Sequence, residues 1–192
     1  MTASPPSPAG EILPDLDAPC GRRWRFRDIV EVGVTWKRLK PDNVPTRPET
    51  YEAIRTLCAE LLDPVADAFG RPTLTYGFAS PSLTRHIDGR ICPSLDQHAG
   101  CELRRNGRPI CPRLGQAVDL IVPGICSGKL AAWIEENVAF DRLYFYGAVR
   151  PVHISIGPDH SRTIVAMFSG SSGRLVPQRQ KLGWLRKNFP TS

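Results

Sequence analysis

No Cys-x-x-Cys pair occurs among the six cysteines of this chain, no long apolar run interrupts it, and no acidic residue stands between Asp141 and Asp159. The first absence argues against a thiolate zinc site of the finger type, which draws its ligands from such pairs. The second excludes a membrane-spanning helix, which needs about 20 apolar residues in succession. The third leaves no carboxylate base in that stretch. The opening residues MTASPPSPAGEILPDLDAPCG also lack the basic and apolar regions of an export signal. Cytoplasmic synthesis is therefore expected, with the cysteines reduced. Cys92, Cys101 and Cys111 lie close enough in sequence to leave a local pair or a second metal open.

What is present is ordinary globular composition, 41% hydrophobic and 23% charged in 192 residues, enough for one sizeable core. Nineteen prolines and 16 glycines call for many turns and exclude a plain helical bundle. The formal charge of +6 admits an acidic partner. Arg104, Arg105 and Arg108 form one candidate surface for an anionic ligand, beside an early arginine cluster and a basic end.

Residues 1–20, rich in Pro, Ser and Ala, predict a disordered tail because they bury too little apolar surface to offset ordering entropy. Residues 21–170 then form the domain, and residues 171–192 a basic tail that starts flexible and ends in a short helix. Arg22 to Trp36 reads as an extended or mixed entry. Tyr51, Ile54, Leu57, Cys58, Leu61, Leu62 and Val65 recur at helical spacing after Pro48, with Pro64 expected to kink or restart the helix and Gly70 to close it. PTLTYGFAS predicts a strand, Asn106-Gly107 a type I′ hairpin, and Val118–Val122 a buried strand. Ser127 predicts the cap of a helix over 128–137, and three further strands follow near 142–146, 151–156 and 163–168. Strands and helices in this mixture define an α+β domain.

Only four histidines are available. His86 and His160 sit in polar loops, whereas His153 lies inside the apolar strand PVHISI and His98 in a turn, DQH. Asp119 interrupts the apolar strand AVDLIV, where an unpartnered carboxylate would cost several kcal/mol. A salt bridge, a hydrogen-bond cage or a metal must compensate. Two imidazoles and one carboxylate are a set that catalytic zinc takes, with its fourth position left for water.

The order of LLDPVADAFGRPTLTYGFASPSLTRHI, DQHAG, LGQAVDLIVPG, FDRLYFYG and PVHISIG resembles the zinc D-Ala-D-Ala carboxypeptidases and phage endolysins of the hedgehog/DD-peptidase superfamily, over roughly residues 26–160. In that family a Ser-x-His motif, a Gly-x-Ala-x-Asp motif and a His-hydrophobic-Ser strand supply the ligands. The resemblance maps these onto His98, Asp119 and His153, with Zn2+ as the ion. It implies a small mixed, mostly antiparallel sheet with helices on one side and the metal on the open face. It further implies water-mediated cleavage of a peptide or peptidoglycan fragment, and a phage origin would suit a protein released on lysis.

The chain departs from that pattern at three places. The family's basic glutamate precedes the last histidine, but here the acid-free stretch puts Tyr146 or Arg150 at that position. The family's substrate-binding arginine is replaced by Ala79, and an insert, CELRRNGRPICPRL, follows the first ligand. Asp96 stands where the family has serine, two residues before His98. One expectation is that Asp96 accepts the proton of the attacking water while Tyr146 donates a hydrogen bond to the oxyanion. The other is that Asp96 caps the turn or orients a ligand, in a zinc-containing binding module without catalysis. Hydrolysis of another anionic substrate is the third.

Overall fold

The computed structural model describes residues 12–87, 92–170 and 173–190. Two short helices, α1 (Phe26–Val30) and α2 (Val34–Leu39), occupy the segment read as an extended or mixed entry. Helix α3 (Pro48–Leu57) follows, and its buried stripe of Tyr51, Ile54 and Leu57 continues through Leu61, Leu62 and Val65. Full burial of each such side chain contributes on the order of 1.5–3 kcal/mol. Pro64 does not break the rod. It has no N–H to offer the preceding turn, and the helix widens instead into a π turn, Cys58–Leu62, in which the Asp63 N–H reaches the Cys58 carbonyl. Helix α4 (Asp63–Phe69) then runs to Gly70, whose φ of +82° ends it as expected.

Strand β1 (Thr73–Tyr76) leads into α5 (Pro81–Thr84), and β2 (Gln116–Ile121) into α6 (Ser127–Asn137). Ser127 is the first residue of α6, not its cap; that position belongs to Cys126. Strands β3 (Arg142–Phe145), β4 (Val152–Ile156), β5 (Thr163–Ser169) and β6 (Leu175–Gln180) precede α7 (Trp184–Asn188). The six strands form one sheet in the order β1-β2-β4-β3-β5-β6, antiparallel except for β3 with β5. This is the mixed, mostly antiparallel sheet of the α+β expectation.

Alternation divides the sheet cleanly. Val118, Leu120, Leu143, Phe145, Val152, Ile154, Ile156, Ile164 and Ala166 join α3, α4 and α6 in the core. On the other face, Tyr76, Asp119, His153, Tyr144, Val165 and Arg179 are successive partners across all six strands.

Three expectations change. The Asn106-Gly107 segment makes a single bridge, Leu103 with Pro109, and the Gly107 N–H binds the Arg104 carbonyl. Of the two loop residues only Gly107 has positive φ, so the turn is not type I′, which needs both there. The predicted basic tail belongs to the sheet and core: β6 pairs with β5, Leu185 is buried, and a Cβ on Gly128 would come within 2.3 Å of the Phe189 ring. Residues 1–11 of the predicted N-terminal tail lie outside the described residues. Its described part is held: Leu13, Leu16 and Ala18 pack on the core, and Arg27 binds Asp17 through Nε at 2.8 Å. No helix among the described residues is long and apolar enough to cross a membrane.

Candidate metal centre

Asp119 and His153 are direct partners across β2 and β4, both on the face turned away from α3, α4 and α6. Their approach is set by backbone geometry. Gly115 immediately precedes β2, with φ +74° and a Cβ that would lie 2.1 Å from the Ile156 carbonyl oxygen, so only glycine lets β2 and β4 meet there.

His98 arrives from a separate 3-10 turn, Gln97–Ala99, laid across that face. Asp96 caps the turn, its Oδ1 accepting the His98 backbone N–H at 3.1 Å. Gln97 bolts the turn to the sheet: its amide nitrogen donates to the Leu114 carbonyl (2.8 Å) and Asp141 Oδ2 (3.1 Å), and its oxygen accepts from the Ser155 hydroxyl (2.7 Å). A glutamine with every amide group engaged is a rigid spacer, and it fixes the height of His98 above β4.

The three side chains close a triangle. His98 Nε2 lies 3.2 Å from Asp119 Oδ1 and 3.2 Å from His153 Nδ1, and His153 Nδ1 lies 2.8 Å from Asp119 Oδ1. Donors held about 2.0–2.2 Å from one tetrahedral ion stand about 3.3–3.6 Å apart; the two His98 edges are close to this, and the His153–Asp119 edge is shorter. His98 Nδ1 contacts the Gly77 carbonyl at 2.7 Å. A carbonyl only accepts, so this nitrogen carries the hydrogen and leaves a bare Nε2 lone pair aimed into the triangle. Nε2 of His98, Nδ1 of His153 and Oδ1 of Asp119 are thus converging ligand atoms, and the group could hold a metal ion. Its donor set of two imidazoles and a carboxylate suits zinc and other first-row divalent ions.

Burial sharpens the electrostatics. The His98 and His153 side chains are 3% and 5% exposed, while Asp119 keeps 26% of its surface in solvent. Burial alone would raise the Asp119 pKa, but the two imidazoles outweigh it and hold the carboxyl well below its usual range. Burial likewise pushes the His98 imidazole down, and the Asp119 charge more than reverses this, so its pKa is raised. The sign follows: without metal, the His98 proton stabilises the fold below about pH 6.5 and is lost as pH rises through the raised value, whereas the Asp119 contribution is lost only in acid, below its unfolded pKa of about 3.9. A metal competes with the His98 proton. Metal affinity is therefore expected to rise with pH until the raised His98 value is passed and to level off above it, with proton release on binding below that point, checked by calorimetry in buffers of different ionisation enthalpy.

Rings wall the site. Tyr76 stacks 4.1 Å from His98 between ring centroids, and Tyr144 meets His153 edge-on at 5.1 Å. A cavity of about 290 Å³ lined by Val34, Trp36, Leu83 and Ile87 opens onto Asp119. The wall rings and the Gly77 carbonyl were missed from sequence, although YG before an apolar pair and Tyr144 two residues before Tyr146 mark the same strand faces.

Of the predicted catalytic residues, Asp96 is buried in its capping role, and Tyr146 is half-buried at the end of β3. Burial first, then the charges of Asp119, Tyr144 and Asp96, raise the Tyr146 phenol. Arg150 is exposed in the turn before β4, and Ala79 contributes its backbone N–H to the His98 carbonyl at 2.9 Å. His86 and His160 are both exposed, as expected. No cysteine joins a metal-competent group among the described residues. Cys20 and Cys58 are buried thiols with Sγ atoms 3.2 Å apart.

Gly77 links fold to site. A Cβ there would lie 2.2 Å from the Ile29 carbonyl oxygen. Gly77→Ala is expected to cost about 2–3 kcal/mol from overpacking, roughly 4–12 °C in melting temperature. Because the displaced carbonyl orients His98, metal affinity should also fall about 10–100-fold. Thermal melts with and without zinc measure both.

No family model, curated protein or solved structure matches the chain.

Proposed function

We propose that this chain is a zinc-dependent hydrolase resembling D-Ala-D-Ala carboxypeptidases and peptidoglycan endopeptidases, cleaving a peptide bond with water. The observation that carries the reading is the triangle of His98, Asp119 and His153, closed by edges of 2.8–3.2 Å around ligand atoms with a fixed tautomer at His98. When bound, zinc supplies Lewis acidity that polarises a carbonyl and makes water nucleophilic near neutral pH.

The chain's own groups supply the rest. Asp96 takes the proton from water, its backbone-bound Oδ1 fixing the carboxyl while the second oxygen remains for chemistry. Tyr146, its phenol raised and so protonated at neutral pH, donates a hydrogen bond to the developing oxyanion. The cavity beside Asp119 receives an apolar substrate group in Val34, Trp36, Leu83 and Ile87.

One observation favours a second reading, a zinc-containing binding module. The acid-free stretch before His153 removes the family's glutamate, and Asp96 already serves as a cap. Metal analysis followed by turnover assays on muropeptides and on nucleotides separates the readings, with His98→Ala as the control. Stoichiometric zinc with muropeptide cleavage supports the peptidase. Zinc with no turnover of either class supports the binding module, and nucleotide cleavage alone supports a hydrolase of another anionic substrate.

A further inference from the structure

The inserted segment after His98 builds a second cavity. Glu102, buried at its root, accepts the backbone N–H groups of Thr46 (3.0 Å) and Arg47 (3.2 Å) and the Thr50 hydroxyl (2.8 Å) at the start of α3. The insert is thereby pinned to the main helix. Its tip is closed by the Arg104 N–H to the Arg108 carbonyl at 2.8 Å. Arg104 also braces the return arm, its guanidinium donating to the Ile110 carbonyl at 3.1 Å.

Between this insert and α5 lies a cleft of about 380 Å³. Ala79, Pro81, Ala99, Leu103 and Ile110 give it apolar walls, and Arg85, Arg104 and Arg105 stand on it as exposed cations. Seven described arginines elsewhere in the molecule carry a carboxylate partner. Arg22, Arg23, Arg27, Arg47, Arg55, Arg71 and Arg186 each meet a carboxylate within 4 Å, whereas among the described residues Arg85, Arg104 and Arg105 meet none. Asp96 is the single described carboxylate on the cleft wall, and it is buried. Cations therefore outnumber anions by three to one in a concave, largely apolar space.

We infer that this cleft binds a phosphomonoester with an apolar body, the body seated against Leu103 and Ile110 and the dianion held by Arg85, Arg104 and Arg105. Charge decides the class. Three guanidiniums against one carboxylate leave two positive charges unanswered, which a dianionic phosphate neutralises and a carboxylate does not. A guanidinium fork also offers paired N–H donors to phosphate oxygens. The apolar walls add affinity that inorganic phosphate cannot gain. Arg108, expected with Arg104 and Arg105 as an anion surface, does not line this cleft, and Arg85 takes its place.

The site does not depend on the metal reading, so the test keeps them apart. Phenylphosphonate, a non-hydrolysable dianion above its second pKa, is titrated calorimetrically into the chain as purified and again after chelation. A Kd below about 1 mM is expected in both cases, with phenol and inorganic phosphate each weaker by about tenfold or more. Arg85→Gln and Arg105→Gln, both at exposed positions that leave the fold intact, should each weaken phenylphosphonate about tenfold and leave zinc content unchanged. Benzoate binding as tightly as phenylphosphonate would overturn the phosphate assignment. Binding that survives the arginine changes but disappears on chelation would place the ligand on the triad and overturn the cleft site, as would no binding at all.

Discussion

Equilibrated with zinc and freed of excess ion, the wild-type chain is expected to retain about one ion per molecule, and His98→Ala none. The reasoning is geometric. Three donors share one small volume, and His98 Nε2 is the only one of the three that reaches it from outside the β2–β4 pair. Removing it leaves two donors on neighbouring strands, too few to compete with water. At free zinc a hundred times its Kd, binding adds about 2.7 kcal/mol to stability. For a chain of this size that is roughly 5–11 °C in melting temperature. Because His98→Ala also opens a cavity, the informative quantity is the zinc-dependent shift within each protein, expected to vanish in the variant. Asp119→Asn preserves the volume and should erase the shift as well. A wild-type chain that binds no divalent ion would identify the triad as a hydrogen-bonded cluster kept together by a proton on His98.

Asp96→Asn is expected to lower muropeptide turnover about 10²–10⁴-fold with no loss of zinc or of thermal stability. Asparagine still presents an oxygen to the His98 N–H, so the 3-10 turn and the ligand it carries stay in place. What disappears is the capacity to accept a proton. Asp96→Ala removes the cap as well, and should therefore lose stability, zinc affinity and rate together. The contrast between the two variants separates a proton acceptor from a structural cap. Equal rates for wild type and Asp96→Asn would leave the residue with the cap alone.

Two of the three residues at the centre of this molecule stand out in the sequence as polar groups inside apolar strands, while their grouping with His98 followed from the resemblance. His153 alternates with Val152, Ile154 and Ile156, and Asp119 breaks a continuous apolar run, so each polar group needs a compensating partner. The α3 stripe was equally plain. Other parts were hidden for physical reasons. Strand β6, LVPQRQ, is an exposed edge containing proline, so it has no alternation to read. The π turn at Cys58–Leu62 keeps the helical spacing of buried residues while changing the hydrogen-bond register, which side-chain pattern does not report. The Gly77 carbonyl is backbone, and its grip on His98 depends on where α1 and β1 cross, a long-range fact invisible in a local window.

Strand β6 and helix α7 have a consequence for how the molecule is made. Until Leu175–Gln180 pairs along it and Phe189 settles on Gly128, β5 carries a bare outer edge. A nascent chain stalled or clipped after Ser169 would thus present an open sheet margin, and is the species most prone to aggregate or to be captured by a chaperone.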